Sequence, residues 1–130
     1  MQKISKYIQE LIQYYIDHYT NSPVFEMSNQ YEKDTGIPGC IYISSEEGQH
    51  GGRIKYYLNK PSRKYPCIIY NIYTLKLVKD KLKDEVDAKT RKQILKWIEL
   101  NQSELIRFWE TGYDWNNEEK RNFEDNLKKV

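Results

Sequence analysis

The sequence predicts an α+β fold, in which a small antiparallel sheet of three to four strands carries an N-terminal helix and C-terminal helices packed on it. Two observations lead to this prediction. Apolar residues at both ends of the chain recur with the period of a helix, whereas the middle contains short strand-like runs bounded by glycine and proline. The chain has 130 residues, of which 38% are hydrophobic, so we expect residues 1–130 to form a single folded domain.

The first predicted helix spans Ile4 to Tyr19. Its apolar residues recur at spacings of three, four and one, which is typical of an amphipathic helix. His18 falls on the flank of the apolar stripe, where a partly buried structural histidine is more common than a catalytic base. The helix is expected to end before Pro23, because proline disfavours the α conformation in the residue that precedes it.

Three runs predict the strands of the sheet: 40–44, 53–58 and 67–73. The third run is apolar almost throughout, which favours a central strand covered on both faces. Two further segments are ambiguous: 24–27 is either a short first strand or a packed connection, and 74–79 continues the third strand or forms a fourth. Residues 29–39 are polar and contain two glycines and a proline, so we interpret them as a loop.

The C-terminal part predicts helices. Asp84 to Asp87 is an acidic start, favourable at the positive end of a helix dipole, and Gly112 is a suitable C-terminal cap. Asn101 and Glu104 have the spacing of a capping box, which leaves open whether residues 87–111 form one bent helix or two. A second capping box, from Asn116 to Glu119, predicts a short last helix.

Positive charge is concentrated in the middle of the chain. Residues 51–100 carry 13 basic and 5 acidic side chains, and the stretch from Gly48 to Lys79 contains no Asp or Glu. In the strand 53–58, alternation places Ile54, Tyr56 and Leu58 on an inner face. It places Arg53, Lys55 and Tyr57 on an outer face. A basic, aromatic sheet face of this kind favours nucleic acid or an acidic protein surface as partner, and solvated surface lysines are the alternative.

The residues predicted to form this binding site come from the outer face and from the following loop, NKPSRKYP: Arg53, Lys55, Tyr57, Arg63, Lys64 and Tyr65. The protein has 12 tyrosines against 3 each of Phe and Trp. Tyrosine combines an apolar ring with a polar tip, which suits half-buried sheet faces and stacking on unpaired bases. A homodimer is left open as an alternative use of the surface.

An alternative interpretation makes the same region catalytic. His50 stands in a glycine-rich loop and, with Arg53, Lys55 and Tyr57, would form the acid–base and phosphate-binding groups of a toxin-like, metal-independent ribonuclease. Glycine next to a polar histidine is equally typical of an ordinary hairpin turn. No nucleotide-binding loop, dinucleotide fingerprint, zinc-protease or hydrolase motif is present, so we favour a non-catalytic protein without a metal or cofactor.

The cysteines and the N-terminus indicate the compartment. Cys40 and Cys67 form no CxxC pair, so neither a zinc ribbon nor a redox motif is predicted and both thiols are expected to stay reduced. The N-terminal residues lack a signal-peptide cleavage site, and no run approaches the ~20 apolar residues of a membrane span. We therefore expect a cytoplasmic protein with no membrane contact.

One resemblance adds to these expectations. The order HGGRIKYY, an apolar strand pair and then RKQILKWIELNQSELIRFWE is similar to a group of small bacterial and phage domains of unknown function, often encoded near toxin–antitoxin genes. The similarity covers about residues 48–115. Some members carry two histidines at the start of the strand, where this chain has only His50. The resemblance implies a sheet-and-helix domain of bacterial or phage origin, and with the basic face it predicts a non-catalytic binding or regulatory protein.

Overall fold

Five antiparallel strands form one sheet in a computed structural model that describes residues 26–45 and 51–130. Their order in space is their order in the chain: β1 (Glu26–Tyr31), β2 (Cys40–Ser45), β3 (Arg53–Tyr57), β4 (Ile68–Asn71) and β5 (Leu77–Asp80). The predicted helix from Ile4 to Tyr19, with His18, and the loop histidine His50 lie outside the described residues. The sheet therefore has five strands, where three or four were predicted.

The additional strand is β1, which the sequence pattern predicts only in part. Asn29 to Tyr31 are polar and typical of a loop, but they continue β1 and pair with β2 in register from Glu26↔Ser45 to Tyr31↔Cys40. β1 lies at the edge of the sheet and pairs with β2 alone. Edge strands commonly carry polar residues, so the sequence of β1 shows little apolar alternation. The chain then makes one helical turn, α1 (Glu32–Thr35), which Gly36 ends in the left-handed conformation with φ of 84°.

Strand β4 is shorter than the predicted run 67–73 because the side chain of Asn71 builds a turn. Its Oδ1 accepts hydrogen bonds from the backbone N–H groups of Tyr73 at 2.7 Å and Thr74 at 2.9 Å. This turn reverses the chain into β5. As predicted, β4 is an interior strand, and Ile68, Ile69 and Tyr70 are all buried.

Three longer helices follow: α2 (Ala88–Leu100), α3 (Gln102–Thr111) and α4 (Asn117–Asn126). The acidic segment starting at Asp84 forms a short 3-10 turn, and α2 begins later because the Asp87 carboxylate caps it by accepting from Thr90 N at 2.8 Å. Two helices, not one, therefore occupy residues 88–111. The predicted capping box of α4 is confirmed, with Asn116 and Glu119 exchanging bonds of 2.8 and 3.0 Å.

The helices α2 to α4 cover one side of the sheet, which we call the inner face. Its core joins Ile43, Ile54 and Tyr56 of the sheet to Trp97 and Phe108 of the helices. Phe108 also stacks on Phe123 of α4 at a centroid separation of 4.5 Å. This confirms the α+β class with the C-terminal helices packed on the sheet. In the described ranges, no helix combines the length and apolarity that crossing a bilayer requires.

Candidate functional site

The opposite side of the sheet, which we call the outer face, presents polar and aromatic side chains in rows. Strand pairing fixes these rows, because directly paired residues project to the same face. One row joins Tyr31, Cys40 and Tyr57, and the next joins Asn29, Tyr42, Lys55 and Ile69. Lys55 on β3 therefore stands directly beside Tyr42 of β2.

A concave region of about 510 Å³ lies over part of the outer face. We call it the basic groove and define it by six of its lining residues: Tyr42, Arg53, Lys55, Tyr57, Arg63 and Trp109. No described residue that lines it is acidic. Strands β2 and β3 form its floor, and the loop after β3 supplies its wall.

Local structure explains how each cation reaches the basic groove. Arg53 and Lys55 are two residues apart on β3, so both project to the outer face. Arg63 arrives through a turn in which Tyr65 N donates to the carbonyl oxygen of Ser62 at 3.1 Å. The two central residues of such a turn diverge, and Arg63 lines the groove whereas Lys64 lies outside it.

The positive charges in the basic groove are not neutralised by an ion pair within the described part of the chain. The ion pairs found there, which are Arg91–Asp80, Lys96–Glu99 and Arg107–Glu104, all lie elsewhere. The Nζ atom of Lys55 instead lies 5.9 Å from the centre of the Tyr42 ring, within the range of a cation–π contact. Like charges held together without carboxylates produce a positive potential that a concave surface focuses.

The predicted site residue Tyr65 lies in a second cavity, of about 740 Å³. We call this cavity the tyrosine pocket and define it by Tyr31, Tyr57, Leu58, Tyr65 and Pro66. The structure thus brings Arg53, Lys55, Tyr57 and Arg63 together and assigns Tyr65 to an adjoining cavity. Leu58, predicted as the inward end of its strand, follows β3 and is exposed.

Tyr57 lies at the junction of the two cavities and is only 6% exposed. Burial, followed by the neighbouring Cys67 thiol, raises the pKa of Tyr57 to about 12. Burial likewise raises the pKa of the Cys40 thiol to about 11. Both groups stay protonated at neutral pH, which suits a packed floor and not a proton acceptor.

The two cysteines flank Tyr57. Cys40 pairs with Tyr57 across β2 and β3, and Cys67 directly precedes Ile68, whose partner is Tyr56. Their Cα atoms are therefore about two strand spacings apart, roughly 9–10 Å, which exceeds the Cα separation that a disulfide allows. Both are free in the structure.

Only three members of the alternative catalytic set can be placed. Arg53, Lys55 and Tyr57 line the basic groove, whereas His50 lies outside the described residues. Within residues 26–45 and 51–130, no three His, Cys, Asp or Glu side chains are grouped closely enough to hold a metal ion.

Sequence reasoning missed two aromatic members of the groove. Tyr42 could have been found from strand alternation, because Ile41 and Ile43 point inward and Tyr42 must then point outward. Trp109 carried no such signal, since its position on the apolar side of α3 predicts a core residue. It is indeed 7% exposed and part of the core, yet it also lines the groove.

Comparisons with protein-family models, with curated proteins and with solved structures found no match to this chain.

Proposed function

We propose that this protein is a non-catalytic nucleic-acid-binding protein, and that its basic groove takes the phosphate backbone. One observation supports the proposal most: Arg53, Lys55 and Arg63, from a strand and a separate loop, converge on one groove that no described carboxylate lines. Folding gains nothing from gathering like charges, which repel one another. A polyanionic ligand is the simplest chemical reason for the arrangement.

The shape of the surface favours a strand of nucleic acid over an acidic protein. Arg53, Lys55 and Arg63 line one concave groove of about 510 Å³, whereas specific protein partners usually need a broad contact surface on each side. A narrow polyanion with regularly spaced charges fits into such a groove. Tyr42, which is half-buried and lines the groove, adds an aromatic contact of the kind that nucleic-acid-binding grooves use.

The ribonuclease alternative has less support from the geometry. A general acid or base works best when its pKa lies near the operating pH, and the pKa of Tyr57 is raised to about 12. Arg53 and Lys55 serve equally well for binding alone. A cytoplasmic, bacterial or phage setting is part of the proposal.

The test measures fluorescence anisotropy of a labelled oligonucleotide of about 12 residues, as RNA and as DNA, over a range of salt concentrations. The groove variant replaces Arg53, Lys55 and Arg63 with glutamine. The matched control replaces Lys89, Lys92 and Lys96, three exposed lysines on α2, and so removes the same charge from another surface.

The parent protein should bind with an affinity that falls steeply with salt. A plot of the logarithm of the association constant against the logarithm of the salt concentration has a negative slope. The groove variant should reduce the steepness of this slope by about 2 to 3, since each lost phosphate contact lowers it by about one. The α2 control should leave the slope nearly unchanged. Equal loss in both variants, or no binding of either oligonucleotide, would overturn the proposal, and displacement by polyglutamate at matched charge would point to an acidic protein partner.

A further inference from the structure

We infer that the tyrosine pocket receives an unpaired base of the same nucleic acid, so that the protein recognises single strands. This inference rests on the proposed function, because it requires the phosphates to lie in the basic groove. It adds a second site with a different chemistry. The pocket of about 740 Å³ falls within the usual size range of ligand sites.

The two cavities adjoin each other. Tyr57 lines both the basic groove and the tyrosine pocket. The turn from Ser62 to Tyr65 separates them, and it directs Arg63 to the groove and Tyr65 to the pocket. A ligand that lies in the groove can therefore place a substituent in the pocket without leaving the protein surface.

Charge distinguishes the two cavities. The basic groove has cationic lining residues and no described acidic ones, whereas the tyrosine pocket has two of each sign at its rim: Glu32, Glu85, Lys33 and Lys60. A balanced rim gives little attraction for a phosphate, and an apolar, aromatic interior favours a flat, uncharged ring. A nucleotide joins an anionic phosphate to such a ring.

Two of the tyrosines have rings available for stacking. Tyr65 is 47% exposed and Tyr31 is 39% exposed, although aromatic residues of this size are commonly buried. They approach the pocket from different segments, Tyr31 from the end of β1 and Tyr65 from the loop after β3. Bases in a duplex are already stacked and paired, so only an unpaired base can enter.

The experiment compares three labelled ligands of equal length, about 12 residues each: single-stranded oligothymidine, an abasic strand with the same phosphates, and a duplex. The variants are Tyr65→Ala and Tyr65→Phe, which retains the ring. Lys64→Ala serves as the control, because it changes the adjacent residue of the same turn and lies outside both cavities.

The parent should bind oligothymidine between about 5-fold and about 150-fold more tightly than the abasic strand, which corresponds to one stacked base. Tyr65→Ala should lose most of this preference while its affinity for the abasic strand stays unchanged. Tyr65→Phe and Lys64→Ala should keep the preference.

Equal affinity for oligothymidine and the abasic strand would overturn the base-binding inference and leave the phosphate groove standing. An unchanged preference in Tyr65→Ala, or tighter binding of the duplex than of the single strand, would also overturn it. Failure of all three ligands to bind would overturn the proposed function itself together with this inference.

Discussion

The side-chain amide of Asn101 pairs with the backbone of Lys128 through two hydrogen bonds. Lys128 N donates to Asn101 Oδ1 at 2.7 Å, and Asn101 Nδ2 donates to Lys128 O at 3.0 Å. The amide also donates to Trp97 O at 2.9 Å. Asn101 is 2% exposed, and its contacts fix the C-terminal segment beside the junction of α2 and α3.

Replacing Asn101 with leucine should therefore destabilise the fold. The change keeps the approximate shape but removes both bonds to Lys128, and we expect a loss of about 1–3 kcal/mol in the free energy of unfolding. Asn126→Leu is the control, because Asn126 is exposed and its side chain bonds to none of the described residues. Urea denaturation measures both. A loss no greater than the roughly 0.5 kcal/mol typical of surface changes would contradict a structural role for the pair.

A second prediction concerns acid stability and Asp80. Its carboxylate accepts hydrogen bonds from Leu82 N at 3.0 Å, Lys83 N at 2.9 Å and Arg91 Nη1 at 2.7 Å. Burial opposes ionisation, but the bonds from Lys83, Arg91 and Leu82 outweigh burial and lower the pKa of Asp80. The ionised carboxylate therefore stabilises the folded state at pH values above about 3.9, the ordinary pKa of Asp. This stabilisation is lost as the pH falls through the lowered pKa of Asp80 in the folded state.

Asp80→Asn should lower stability by about 1–2 kcal/mol at pH 7, since the groups are partly exposed, and it should flatten the fall in melting temperature below pH 4. The measurement is the melting temperature between about pH 2 and 7. Asp84→Asn, on an exposed residue nearby, should leave the fall in melting temperature at low pH unchanged. If Asp80→Asn showed the same fall in melting temperature at low pH as the parent, another titrating group would control the acid stability.

The third prediction distinguishes two reasons why a position requires glycine: lack of space for a Cβ atom, and a backbone φ that is positive. Gly112 is the C-terminal cap of α3, as predicted, but its φ of −60° is helical and not left-handed, so the need for glycine there is not conformational. A Cβ there would lie 2.5 Å from Cδ1 of Phe108 and 3.1 Å from Cβ of Ser45. Gly112→Ala should therefore cost about 1–3 kcal/mol through crowding, as measured by denaturation.

Combining Gly112→Ala with Phe108→Leu should relieve part of that cost, because the smaller side chain makes room. Gly51 is the contrasting case: its φ is 74°, and no described atom lies within 4 Å of the place that a Cβ would take. Gly51→Ala should cost about 1–2 kcal/mol through backbone strain, and Phe108→Leu should not relieve it. Equal relief at both positions would refute the assignment of crowding to Gly112.

These cases show which features could be predicted from sequence. The alternation around Ile54 and Tyr56 correctly assigned Arg53, Lys55 and Tyr57 to the outer face, because strand geometry is local. β1 was assigned only in part because its pairing with β2, and not its own pattern, makes it a strand.

Long-range partners explain the remaining differences. The spacing from Asn101 to Glu104 predicted a capping box, yet the Asn101 amide bonds to Lys128, 27 residues away, and does not cap α3. The approach of Trp109 to the groove likewise depends on how α3 packs on the sheet. The separation of Arg63 from Lys64 is the exception, because it depends on a local turn from Ser62 to Tyr65. None of these relationships is encoded in a local repeat.

The last prediction uses Arg63 and Lys64, which are adjacent in sequence and carry the same charge. Both are exposed, but only Arg63 lines the basic groove. If the groove binds phosphates, Arg63→Gln should reduce the slope of log K against log salt by about one, whereas Lys64→Gln should change it little. Anisotropy titrations of the two purified variants at several salt concentrations measure both slopes. The two variants have the same net charge, so a general effect of charge would alter both slopes equally. Equal slopes would therefore argue against a defined phosphate path through the groove.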